Sequence, residues 1–204
     1  VLIIFNLYFS AIIFQLLFFH FYFSTANFWL NLSNNNAATI PATRQITFTT
    51  ALKTETVKLS KRSGKAITLV TLLEEVPIDA ARFFFNLREP NSHFDFDLDL
   101  AIEESNKNPV YYVQYAHARI CSIIRNLASD GITQRKCTEE ELAKLNTPEE
   151  RELTVHLAAY TDEIISAAKS YDPAKITHYV EDLATKFHKF YNSCRVKGDD
   201  EGLM

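Results

Sequence analysis

Asn108-Pro-Val-Tyr-Tyr-Val-Gln-Tyr-Ala-His-Ala-Arg119 is the stretch on which the reading of this chain turns. Pro109 suits the first turn of a helix, whose N–H groups have no intrahelical partner in any case. From there the pattern stays helical for about five turns. Val113, Ala116, Ile120, Ile123 and Leu127 recur at three- and four-residue spacing, the signature of a buried helix face. Tyr112, Tyr115 and Arg119 form a neighbouring stripe, and Gln114, His117 and Cys121 a third. An apolar spine with such flanks suits a helix that packs on one side and meets a polar partner on the other. The same pattern fits a core helix whose polar tips are satisfied by packing.

Outward toward the C-terminus, the chain reads as more helix. A polar loop follows Gly131, then a short helix over Glu139–Leu145. Pro148-Glu149-Glu150 opens a helix running to about Ser170, with acidic groups where the helix dipole favours them. Leu153, Leu157, Tyr160, Ile164 and Ala168 make its apolar stripe. Asp172-Pro173 caps a last long helix, along which Ile176, Tyr179, Val180, Leu183, Phe187, Phe190, Tyr191 and Cys194 follow one face down to Val196. His178 and His188 read as surface residues of that helix.

Outward toward the N-terminus, His93-Phe-Asp-Phe-Asp-Leu-Asp99 alternates with period two, predicting an extended connector that ends in a helix cap and leads into Leu100–Ser105. Asp95, Asp97 and Asp99 have the opening spacing of a calcium loop. The glycine it requires would fall at Leu100 and the closing glutamate at Asn106, so no metal is expected there. Thr68–Glu75 and Asp79–Arg88 read as short helices broken at Pro77, with Asp79 as the N-cap and Phe83, Phe84 and Phe85 as core mass. Val57-Lys-Leu-Ser-Lys-Arg-Ser-Gly64 is a basic loop. Taken alone it is a solvated charge run, or a flexible strap able to fold over a triphosphate. Asn31–Thr50, rich in Asn, Thr and Ala, reads as a linker.

Residues 1–30 are almost continuously apolar and uncharged apart from His20, long enough to cross a bilayer. The stretch lacks the basic start of a signal peptide, position 1 is Val, and Arg44 is the only basic flank. It reads as translated AT-rich non-coding sequence, with a membrane helix as the alternative.

Composition narrows the chemistry. The 204 residues carry a net charge of −4, unlike a general nucleic-acid coat. Cys121, Cys137 and Cys194 are too few and too scattered for a disulfide framework or a Cys-x-x-Cys clip. Four glycines, at 64, 131, 198 and 202, leave no Gly-x-Gly-x-x-Gly or Walker loop.

Four blocks in series carry a resemblance: Val57–Gly64, Leu73–Phe85, Ser92–Asp99 and the helix from Pro109. Together Val57–Arg125 resembles the arginyl-tRNA synthetases, class I enzymes, and Phe187–Val196 is similar to their anticodon-binding domain. The resemblance implies a mainly α fold: a helical bundle preceded by the end of a Rossmann-type catalytic domain. The implied division is an apolar segment 1–30, a linker 31–52, a catalytic-domain remnant with the signature loop over 53–99, and an anticodon-binding domain over 100–204, truncated so that the bundle leaves an apolar face open. The loop is similar to the family's Lys-Met-Ser-Lys, with Leu59 in place of Met. The resemblance gives Lys58 and Lys61 catalytic contacts with ATP phosphates, with Ser60 beside them, and Mg2+ accompanies ATP in the whole enzyme. By chemistry, Tyr112, Gln114, Tyr115, His117 and Arg119 are candidates for contacting tRNA-Arg, or else interhelical packing. The family's other signature, His-x-Gly-His, is matched at none of the six histidines. The expectation is a cytoplasmic, monomeric arginine–tRNA ligase segment that does not charge tRNA by itself and binds no DNA. The alternatives are a non-catalytic tRNA-binding module and a membrane-anchored interaction protein.

Overall fold

The computed structural model describes residues 46–50, 53–58, 69–89, 92, 94–132 and 138–196. The apolar segment 1–30, Ser60, Lys61 and Cys137 lie outside them. Three strands form one small sheet: β1 (Ile46–Thr50), β2 (Lys53–Lys58) and β3 (Phe94–Asp97), in the order β2-β1-β3. The β1–β2 pair is antiparallel and β3 runs parallel to β1, with Phe48 opposite Phe96. β1 falls inside the stretch read as linker. Its Ile-Thr-Phe-Thr-Thr alternation has strand propensity, and the polar composition upstream masks it.

Among the described residues the other elements are helices: α1 (Leu69–Glu75), α2 (Ile78–Asn86), α3 (Leu98–Ile102), α4 (Pro109–Ser129), α5 (Glu139–Leu142), α6 (Pro148–Ala158), α7 (Tyr160–Ser170) and α8 (Ala174–Ser193). The mainly α architecture expected from the sequence is what the molecule has. Among the described residues, no helix is long and apolar enough to cross a membrane.

Each helix starts where local chemistry allows. The Asp97 carboxylate accepts the Leu100 N–H at 3.0 Å and starts α3, two residues earlier than the pattern suggested. Buried Asn108 caps α4 by accepting the Val110 N–H at 3.0 Å. Its amide donates back to the carbonyls of Ala101 and Glu103, tying the end of α3 to the start of α4. Thr138 with Glu141, and Thr147 with Glu150, form two capping boxes. The expected cap at Asp79 is a correction: α2 begins one residue earlier, Asp79 lies in its first turn, and its carboxylate accepts from Gln114 instead. α4 ends at Gly131, whose φ of 81° places it in the left-handed region and lets the Ile132 N–H reach the Leu127 carbonyl.

The helix expected over Pro148–Ser170 is two. Ala159 (ψ −7°) is a turn between them, although its N–H still donates to the Val155 carbonyl at 3.1 Å and its carbonyl accepts the Glu163 N–H at 3.0 Å; Ala167 rather than Ala168 carries the buried stripe onward. No glycine or proline marks the break. It coincides with a cluster in which the His156 and Tyr160 rings both lie against Tyr179, at 4.2 and 5.7 Å. Tyr179 Oη donates to the His156 carbonyl at 2.8 Å. His156 Nε2 lies 3.1 Å from the Tyr179 carbonyl and must be the donor, since a carbonyl oxygen only accepts. Burial, with Tyr160 and Glu163 nearby, pushes the Tyr179 hydroxyl well above its ordinary range, so it stays a donor at any working pH. Tyr179→Phe is expected to destabilise by about 1 kcal/mol or somewhat more, because the His156 carbonyl loses its side-chain donor. Urea unfolding measures it, and a change below a few tenths would show the bond to be dispensable.

Two apolar clusters organise the packing. The larger joins Val113, Ala116 and Ile120 of α4 to Leu153 and Leu157 of α6 and to Val180, Leu183, Ala184, Phe187 and Phe190 of α8. The smaller joins Leu72 and Val76 to Ala80, Ala81 and Phe84 of α2, Phe96 of β3, Leu98 and Ala101 of α3, and Val110 of α4. Phe83 packs against both. Buried Thr177 of α8 adds a polar pin, donating through Oγ1 to the Asn86 carbonyl at the end of α2 at 2.8 Å.

Candidate nucleic-acid interface

Burying Val113, Ala116 and Ile120 against α8 fixes the rotation of α4, and with it the neighbouring stripe. Tyr111, Tyr115 and Arg119 follow at four-residue spacing, one above another on that surface. The Tyr111 and Tyr115 rings are nearly parallel, 4° apart with centroids 6.3 Å apart. The guanidinium of Arg119 lies 4.9 Å from the Tyr115 centroid and 4.5 Å from that of Tyr191 on α8, and its Nη2 donates to Tyr115 Oη at 2.8 Å. Arg119 is thus shared between two phenol faces from two helices. Tyr115 remains 40% exposed, so the layer reaches the surface there.

His188 sits beneath this layer. Its ring centroid is 4.8 Å from Tyr112 and 5.7 Å from Tyr115. Burial, and then the Arg119 charge, hold its pKa below the ordinary value of 6.5, against a weaker upward pull from the Tyr112 backbone. The ring is therefore neutral near pH 7. This corrects the sequence reading of His188 as a surface residue, whereas His178 is indeed largely exposed, beside Glu181.

Of the candidates read from the sequence, the structure brings Tyr112, Tyr115 and Arg119 together. Tyr112 lies on the packing side against His188. Gln114 and His117 lie on another face of α4, the separate stripe on which the sequence spacing put them. Gln114 is turned to α2 and donates to Asp79, and His117 lies 3.5 Å from the Cys121 thiol, its pKa lowered by burial. Tyr111, His188 and Tyr191 were missed. Tyr111 had a signal, its four-residue spacing to Tyr115. His188 and Tyr191 had none, because only the register between α4 and α8 places them there. Lys58 closes β2, with nothing described of its side chain, and Ser60 and Lys61 fall outside the described residues.

Similar proteins are known. Residues 113–204 match the family model of the DALR anticodon binding domain. Over 150 residues, 74% of this chain, the sequence is 53% identical to the arginine–tRNA ligase of Acetivibrio thermocellus and 55% identical to that of Caldanaerobacter subterraneus. Over that stretch the chain is recognised as arginyl-tRNA synthetase sequence. It spans 27% of the length of those two relatives. The arginyl-tRNA synthetase structure of Thermus thermophilus is similar in fold, with a TM-score of 0.53 at 22% identity over 78% of this chain and 30% of that one. Within this synthetase segment, the family model begins at Val113, so the Tyr115–Arg119–Tyr191 layer lies inside the matched domain.

Proposed function

We propose that this segment serves an arginine–tRNA ligase, holding the anticodon arm of tRNA-Arg on the layer formed by Tyr111, Tyr115, Arg119 and Tyr191. The supporting observation is the guanidinium held between two phenol rings from two helices in a layer that reaches the surface at Tyr115. Single-stranded RNA is read by stacking splayed bases on aromatic and Arg planes, with hydrogen bonds to base edges and phosphates. Arg119 has further N–H groups beyond the one bonded to Tyr115, and these can meet a phosphate or a base edge. Tyr112 and His188 support the layer from below, and Gln114 and His117 are assigned no contact.

The Lys58, Ser60 and Lys61 loop serves the other half of the reaction in this reading. Its ammonium groups would meet the phosphates of ATP, with its Mg2+, as arginine is activated. This assignment is carried by the similarity of the loop to the family signature.

The test is direct binding of tRNA-Arg and of an unrelated tRNA to the chain across a salt series. Tighter binding of tRNA-Arg is expected, with affinity falling by a logarithmic slope of roughly −0.7 to −0.9 per phosphate neutralised. Equal affinity for both tRNAs at every salt concentration would overturn the reading.

A further inference from the structure

Among the described residues, Nε2 of His188 is buried without a hydrogen-bond partner. Such an atom costs about 1–3 kcal/mol and calls for an explanation. The ring's remaining hydrogen-bonding interaction is with the Tyr112 backbone. It favours the proton, as donation to a carbonyl does, so the proton is assigned to Nδ1 and Nε2 carries a lone pair. The groups facing the ring are Tyr112, Tyr115 and Arg119 of α4 and Phe187 of its own helix. From α6, Glu152 engages Lys186 at 3.8 Å.

We propose that His188 is a positioning residue for the stack of Tyr115, Arg119 and Tyr191, its uncharged ring backing the Tyr115 phenol on which the guanidinium lies and its protonation expelling Arg119. The reasoning is steric and electrostatic. Tyr115 rests on the imidazole at 25° between ring planes, so the ring sets the height of the phenol face that Arg119 uses. A second proton would have to go on Nε2, creating a buried cation with no acceptor beside an existing one. Burial and the Arg119 charge both already oppose that proton. The group's contribution is therefore complete above its ordinary value and is lost as pH falls below it. The proposal rests on the layer being the RNA contact, and it makes that contact acid-sensitive.

The test uses the full chain and its His188→Asn and His188→Lys variants between pH 5 and 8. NMR of the free protein follows the imidazole signals and the Arg119 Nε–H resonance, while binding is measured with a tRNA-Arg transcript. In the wild type, the Arg119 resonance should move together with the His188 titration, at a midpoint below 6.5. Affinity should fall measurably from pH 7.5 to 5.5, by no more than about tenfold for one proton whose midpoint lies below 6.5. General phosphate electrostatics predict the opposite sign, since acidification adds positive charge. His188→Asn should flatten both profiles, and His188→Lys should bind at pH 7.5 as weakly as acidified wild type. An Arg119 resonance indifferent to the titration would overturn the proposal, as would an affinity that rises equally on acidification in wild type and His188→Asn. Absence of tRNA binding at pH 7.5 would count against the RNA contact alone, and the NMR arm would still decide the role of His188.

Discussion

Phe187→Ala is expected to lower the unfolding free energy by about 3–5 kcal/mol, a large share of the roughly 5–15 kcal/mol typical of a domain. Phe187 is 2% exposed in the cluster where α4, α6 and α8 meet. Its ring also lies 5.5 Å from His188 and 6.0 Å from Tyr191, so the truncation opens a void and removes two aromatic contacts. The void is flanked by helices fixed on several sides, which limits collapse. Urea denaturation should show the midpoint falling with an unchanged slope. Val155→Ala, at a residue 69% exposed on α6, serves as the control and should change stability by less than about 0.5 kcal/mol. A Phe187→Ala effect no larger than the control would show that this cluster does not hold the bundle together.

Arg119→Ala should weaken binding of tRNA-Arg by about 2 kcal/mol, roughly thirtyfold. It removes a cation shared by two phenol faces and the donor to Tyr115 Oη. Stability should change by less than about 1 kcal/mol, because the guanidinium is half-buried at the surface. Arg119→Lys separates charge from shape. A lysine restores the electrostatic term but not the planar stacking or the forked donors, so it should recover the salt dependence and only part of the affinity. Binding of Arg119→Ala within threefold of the wild type would remove Arg119 from the interface.

The residues that were readable in advance are those whose burial follows from their own helix. Val113, Ala116, Ile120 and Leu127 are all buried, as their spacing requires, and Ile123 is half-buried at the margin of the stripe. On α8, the predicted Val180, Leu183, Phe187 and Phe190 are likewise buried, because a period of 3.6 residues reports the buried face directly. The features that escaped depend on a second element. Ala159 breaks a helix without any breaker residue, where the His156 and Tyr160 rings gather on Tyr179. Asp79 failed as a cap because Pro77 already sets the start of α2 and Gln114 takes its carboxylate. Half of the stacked layer was legible for the same reason. Its α4 side has a spacing, and its α8 side depends on how two helices meet.

Phe83 carries a lesson for anyone transplanting this bundle. Its ring serves both packing regions, and the neighbouring Asn86 carbonyl receives the Thr177 hydroxyl from α8. A graft that began at α4 would leave a phenyl-sized hole and remove the cross-helix acceptor, leaving that hydroxyl only the Ala174 carbonyl of its own helix. The portable unit therefore starts at α2, and its two halves should melt as one.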